Sequence, residues 1–335
     1  MKIAIIGAGA AGLMATAAIL ERGTEVDIFL IEKNSSLGKK VVISGGGRCN
    51  VTTGLRDIRA VLKKYPRGEK FLNSAMHFFS PEMVYDWFET HGVPLKVEED
   101  LRVFPKSNNG HDIVGVFEQM FASTRTNMLL NHQVVRIMRH AAGFRITFTN
   151  GDTLDVDKVI LTTGGQAYRH TGSTGDGYAL AEALDHSITP LAASLNSFFT
   201  KEKWPAEVAG LSFAEARLRT QFTKLYEFSG PLLFTHRGVS GPAVFALSSL
   251  VAFEQYDVAH PMALSIDIFP EIPVEILEKK ITQAIQENLK KSIGNVLDFF
   301  IAKRLAMVMV RELALPLDAH AGEISKKDIR RCVYW

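Results

Sequence analysis

Apolar positions along this chain fall into two rhythms, short unbroken runs and stretches with helical spacing. Lys2-Ile3-Ala4-Ile5-Ile6 is a run of the length and type of a buried strand. A small-residue helical stretch follows over residues 13–22, then a second β-type run over 25–31 that ends at Glu32. Ser80 with Pro81 is a helix start and Gly92 a stop, which predicts a helix over 83–91. Residues 95–104 read as strand, interrupted by a solvated turn at Glu98-Glu99-Asp100, and residues 110–124 as helix. Three β-type runs come next, at 128–138, 144–149 and 154–161, separated by Ala142-Gly143 and Asn150-Gly151-Asp152. Asn-Gly is a strong hairpin signal, so a three-stranded antiparallel unit is expected, leading into Thr163-Gly164-Gly165.

Near Thr189-Pro190 the character changes. Short β-type runs at 211–222, 225–234 and 262–269, broken by Gly and Pro, predict a small antiparallel, barrel-like β domain. Ile276, Leu277, Ile281, Ile285 and Leu289 then recur at helical spacing. Further helical stretches cover 296–313, ending before Pro316, and run from 326 towards Trp335. The expected class is α/β with three parts: a Rossmann-like domain over 1–190, a β-barrel-like insert over 191–271, and a helical insert with the tail over 272–335.

Composition narrows the classes. The 335 residues suffice for one α/β domain and one or two smaller ones, and 47% hydrophobic content fits a globular chain with a sizeable core. A net charge of +2 gives no reason to expect nucleic-acid binding. Two cysteines, Cys49 and Cys332, form no disulfide framework, and the ten histidines show no metal-ligand spacing. Residues 3–20 lack charge, but their Gly and Ala content and the missing cleavage site speak against a signal peptide or membrane span. A cytoplasmic location is the default expectation.

Candidate chemistry concentrates at Gly7-x-Gly9-x-x-Gly12, set between strand and helix, with Glu32 twenty residues on. In that context the first glycine permits a tight turn, the second a close approach to a pyrophosphate, the third close helix–strand packing. The helix dipole favours the anion, and Glu32 would accept from ribose hydroxyls. Downstream, Gly45-Gly46-Gly47-Arg48-Cys49-Asn50 suggests backbone laid flat against a large planar ligand, with Arg48 and Asn50 as polar contacts.

These residues resemble the BaiN-like (YhiN-type) flavoproteins. The resemblance rests on residues 7–12, Glu32-Lys33-Asn34, residues 44–50, Thr163-Gly164-Gly165, residues 172–178, and residues 230–242 with their Phe-Thr-His and Ser-Gly-Pro. It implies FAD bound non-covalently in a Rossmann-like domain carrying the two inserts. By resemblance, Gly7, Gly9, Ala11 and Gly12 hold the pyrophosphate, Glu32 the adenosine ribose, with Lys33 beside it. Lys40, Gly46, Gly47, Arg48, Cys49 and Asn50 approach the FAD. Val134 meets the adenine through its backbone, and Gly164 and Gly165 pass close to the cofactor.

The implied activity takes hydride from NAD(P)H and delivers it from flavin N5 to an activated C=C bond of a small steroid-like or enone substrate. His236, Arg237 and Tyr168 are candidates for a proton donor or carbonyl polariser. The family's return segment after the insert has no counterpart before Trp335, so the chain is expected to lack those flavin contacts. Alternatives are a flavin oxidase of small amines, or a non-catalytic flavin binder or inactive fragment. A flavin-free NAD(P) dehydrogenase is opposed by the Gly-Gly-Gly-Arg-Cys-Asn loop. An RNA-modifying flavoprotein finds no basic stripe in the near-neutral total.

Overall fold

The first apolar run becomes β1 (Lys2–Ile6), an inner strand of a four-stranded parallel sheet. The computed structural model describes residues 1–335 apart from Thr24, Arg125, Leu317 and Asp318, and the chain divides into two compact units, Met1–Pro190 and Leu191–Trp335.

In the first unit, α1 (Ala10–Glu21) follows β1 and packs through Leu13, Thr16 and Ala17, side chains that allow a close fit to the sheet. β2 (Asp27–Ile31) lies parallel to β1. α2 (Lys39–Ile43) runs into a one-turn 3-10 segment, Ser44–Gly47. β3 (Thr52–Thr53), α3 (Ile58–Leu62), α4 (Glu69–Phe78) and α5 (Pro81–Thr90) come next. Ser80 caps α5 as the sequence predicts, its hydroxyl accepting from the Met83 N–H at 3.1 Å. β4 (Leu95–Val97) and β5 (Arg102–Pro105) flank the acidic turn and form a small antiparallel sheet with β3. α6 (Gly110–Ala122) is capped by Asn109, whose side chain accepts from the His111 N–H at 3.1 Å.

The next three runs divide differently from the expectation. Residues 128–138 do not make one strand. β6 (Thr126–Leu129) pairs in parallel with β2, and β7 (Val134–His140) belongs to another sheet. Asn131, in a left-handed conformation at φ 57°, lies between them. β7, β8 (Gly143–Phe148) and β9 (Thr153–Val156) form the antiparallel unit. β10 (Lys158–Leu161) then returns to lie parallel to β1. The switch is fastened at Asp157, whose N–H donates to the Lys2 carbonyl at 3.0 Å and whose carboxylate accepts from the Lys2 N–H at 2.7 Å. Apolar runs report strand propensity, not which sheet a strand joins. The unit closes with α7 (Asp176–Glu182).

The second unit carries β11 (Phe198–Phe199), β12 (Ser212–Gln221), β13 (Leu225–Thr235) and β14 (Gly238–Ser240), followed by α8 (Pro242–Leu250). With β15 (Ser265–Asp267) the strands form an antiparallel sheet in the order β11-β14-β13-β12-β15. Four helices follow: α9 (Val274–Glu287), α10 (Ile293–Leu297), α11 (Lys303–Glu312) and α12 (Lys326–Val333). Sheet and helices share one core, in which Leu218, Leu232 and Val244 join Ile281, Val296 and Leu305.

Candidate cofactor site

The glycine turn sits where β1 gives way to α1, between the ends of β2 and β10. The Gly7 N–H donates to the Ile31 carbonyl at 2.8 Å, and the Thr162 hydroxyl donates towards the Gly7 carbonyl at 2.8 Å. Gly7 has φ +104°, and a Cβ there would lie 2.6 Å from the Thr162 carbonyl oxygen. A Cβ on Gly12 would stand 1.9 Å from the Gly7 carbonyl oxygen, so helix and turn touch backbone to backbone. Gly9 differs: no atom lies within 4 Å of the position its Cβ would take. Gly9 is also the N-cap of α1 and supplies no side-chain cap, leaving the first-turn N–H groups open to an anion.

Glu32 leaves the end of β2 with its carboxylate buried and organised. One oxygen accepts from the Ala8 N–H at 2.8 Å, the other from the Asn34 N–H at 2.9 Å and the Asn34 side-chain amide at 2.6 Å. A carboxylate has about four acceptor positions, so room remains for one more donor. The Lys33 ammonium is engaged with Asp176 at 2.6 Å and with the Thr174 hydroxyl at 2.7 Å. That hydrogen bond from Lys33 holds the Asp176 carboxyl below the ordinary carboxylate range. Lys40 donates to the Ala167 carbonyl at 2.7 Å and the Ser173 hydroxyl at 2.5 Å, and burial lowers its pKa. The loop at 167–176 is thereby stitched to the segment after β2.

Both segments border one cavity of about 730 Å³. Of the residues singled out in the sequence, Gly7, Gly9, Ala11, Glu32, Lys33, Lys40, Cys49, Asn50, Val134 and Gly164 line it. Gly12, Gly46, Gly47, Arg48 and Gly165 are not among its lining residues. The loop at 45–47 is wound rather than flat, with φ of 57°, 73° and 87° at its three glycines. Arg48 is drawn to Glu98 at 2.7 Å and lies 3.8 Å over the Phe104 ring. Cys49 is buried with φ 60°, and burial pushes its thiol pKa up, which keeps it protonated and poorly nucleophilic.

Of the candidate proton donors, Tyr168 is exposed, and His236 and Arg237 occupy an exposed turn between β13 and β14 in the second unit. Thr163 and Ser173, from the motifs at 163–165 and 172–178, also line the cavity, whereas Thr162 and the aromatic Phe79, Phe88 and Phe117 line it without having been singled out. Thr162 adjoins the Thr163-Gly164-Gly165 motif, so its place was legible in the sequence. The phenylalanines carry no local signal that separates a cavity wall from core.

These features fit the ADP portion of a flavin dinucleotide: an uncapped helix N-terminus beside a glycine open to the cavity, with a buried carboxylate retaining one acceptor position. Among the described residues, no helix is long and apolar enough to cross a membrane, and no cluster of three or more His, Cys, Asp or Glu is arranged to hold a metal ion.

The proteins similar to this chain include three with named activities. A 3-dehydro-bile acid delta(4,6)-reductase from Clostridium scindens is 27% identical over 280 residues, spanning 83% of this chain and 67% of that protein. The ribosomal RNA dihydrouridine synthase of Escherichia coli is 28% identical over 301 residues, 90% of this chain and 71% of its own. The synthase of the same name from Haemophilus influenzae is 28% identical over 336 residues, 98% of this chain and 78% of its own. The description of the HI0933-like protein Rossmann domain matches residues 1–329, and the chain belongs to that family of flavin-dependent oxidoreductases.

Proposed function

We propose that the chain binds FAD non-covalently in the first-unit cavity and reduces a C=C bond conjugated to a carbonyl, with NAD(P)H as electron donor. The observation that carries this reading is the pairing of an uncapped α1 N-terminus with the buried Glu32 carboxylate on one cavity. When bound, FAD supplies the hydride chemistry at its N5.

The chain supplies position and charge. Backbone N–H groups from Gly9 to Gly12 hold the pyrophosphate at the positive end of α1. Glu32, fixed by Ala8 and Asn34, accepts from an adenosine ribose hydroxyl. Val134 meets the adenine, while Lys40, Cys49, Asn50 and Gly164 border the remainder of the cofactor. Gly12 keeps α1 against the turn; Gly46, Gly47, Arg48 and Gly165 act from beside the cavity through the shape of their loops.

The relatives' names support the reaction class. One is a reductase of a 3-dehydro bile acid and two form dihydrouridine in ribosomal RNA. A 3-keto-4,6-diene and the uracil 5,6 bond are both polarised by a carbonyl, so hydride adds to the distal carbon and a proton to the other. A free steroid-like enone needs only the cavity and agrees with the net charge of +2. A second reading, uracil within RNA, is favoured by the two relatives named for dihydrouridine synthesis in ribosomal RNA.

The test is anaerobic NAD(P)H oxidation by the FAD-loaded chain with a 3-keto-4-ene steroid, and separately with uridine-containing RNA. Cofactor consumption that depends on one of these acceptors, with formation of the saturated product, is expected. Consumption unaffected by either acceptor overturns the reading.

A further inference from the structure

A near-neutral total hides an uneven distribution. Within residues 56–70 the chain holds Arg56, Arg59, Lys63, Lys64, Arg67 and Lys70 against Asp57 and Glu69, six cations to two carboxylates. That net +4 exceeds the +2 of the whole chain, so the remainder is net negative. Val61 and Leu62 anchor α3 in the first unit, and Asp57 caps it by accepting from the Arg59 N–H at 2.9 Å. The cations themselves are exposed. Arg56 pairs with Glu82 at 3.1 Å, whereas no ion pair among the described residues engages Lys63, Lys64 or Lys70.

α4 packs beside α3 and buries none of its ten residues. Phe71 is 86% and Phe78 72% exposed. Seven residues apart, they stand on one side of the helix about 10 Å from each other. Ser74 and Ala75 share that side, so the rings stand apart and do not merge into an apolar strip. Phe78 is followed directly by Phe79, which lines the cavity. α4 therefore runs up to the rim of the candidate site.

We infer that the face formed by residues 56–78 is a docking surface for single-stranded RNA, which it leads towards the cavity; the inference rests on the uracil reading above. Clustered cations answer a phosphate backbone, and separated exposed rings answer unstacked bases. An anionic bilayer would instead be met by a continuous apolar strip flanked by cations. The whole-chain sum concealed the patch because acidic residues elsewhere cancel it.

The test is fluorescence anisotropy of a 5′-labelled, uridine-rich single strand of about 20 nucleotides at about 50 and about 200 mM salt. The FAD-loaded full chain is compared with Lys63→Glu/Lys64→Glu/Lys70→Glu and with Phe71→Ala/Phe78→Ala. Retained flavin absorbance and an unchanged melting curve show that the variants are folded. Binding is expected to weaken at least about tenfold across the salt range. The charge variant should bind at least about thirtyfold more weakly with a shallower salt slope; the aromatic variant should lose about tenfold at unchanged slope. No binding by the parent chain overturns the inference. So does equal affinity for heparin with a neutral aromatic variant, or preferential binding to phosphatidylserine vesicles. RNA binding without dihydrouridine formation under NAD(P)H leaves the docking surface standing and removes the uracil reading.

Discussion

Gly9 and Gly12 lie three residues apart in one motif, yet their surroundings assign them different work. At Gly12 an added methyl would stand 1.9 Å from a backbone oxygen that cannot move aside. Gly12→Ala is expected to cost at least about 3 kcal/mol, read as a large loss of melting temperature. At Gly9 the backbone has φ −80°, open to alanine, and empty space lies ahead. Gly9→Ala should leave stability within about 1 kcal/mol and act only on cofactor affinity.

Cys49 gives a second residue-scale expectation. Its thiol is buried, with its pKa raised by that burial, so alkylation at pH of about 8 should be at least about tenfold slower than for a free thiol. Loading with FAD should slow it further, as peptide mass spectrometry would show; full reactivity in the folded chain would contradict this placement. The glycine spacing was legible because the turn it encodes is local. The fate of Arg48 was not, because Glu98 lies fifty positions away in sequence.

At the scale of elements, the Lys33–Asp176 pair ties the end of β2 to the start of α7. The Asp176 pKa is depressed in the folded state, so its contribution is complete above the ordinary carboxylate value of about 4 and fades as pH falls through the lower folded value. Asp176→Asn should therefore lower stability at neutral pH by about 1 kcal/mol, a figure reduced for partial exposure. The difference from the parent should shrink towards acid, and melting curves from about pH 7 to about pH 3 measure it.

In the second unit, Thr220 in β12 is buried with a hydroxyl that lacks a partner among the described residues. Thr220→Val is expected to stabilise by about 0.5–1 kcal/mol in a denaturant titration. Helix starts such as Ser80-Pro81 were readable because capping is encoded within four residues. The reassignment of residues 128–138 and 154–161 to two sheets each was not. It depends on contacts such as Asp157 with Lys2, made across 155 positions.

The chain as a whole changes character at Pro190, and the compact units divide at the same residue. Composition reveals such a change because a Gly- and Pro-punctuated β pattern replaces alternating strands and helices. Composition does not reveal that the later sheet and helices share a single core, since burial partners are set by packing. Residues 189–197 are exposed and mostly outside regular structure, which makes them an expected early site of limited proteolysis. Mass spectrometry of the first fragments should show cleavage within or beside that stretch. The net charge shows the same limit of whole-chain sums, because +2 overall contains a +4 segment on one face.

The α1 N-terminus is the proposed seat of the cofactor, and an FAD titration of the parent chain and Gly9→Ala tests that role most directly. Protein and excess FAD are separated by gel filtration, and absorbance at about 450 nm is read in the protein peak. The expected result is stoichiometric flavin with the parent chain and at least about tenfold weaker retention by a Gly9→Ala variant that melts at the same temperature. Equal retention by both, or a folded parent chain that elutes without flavin, would contradict it.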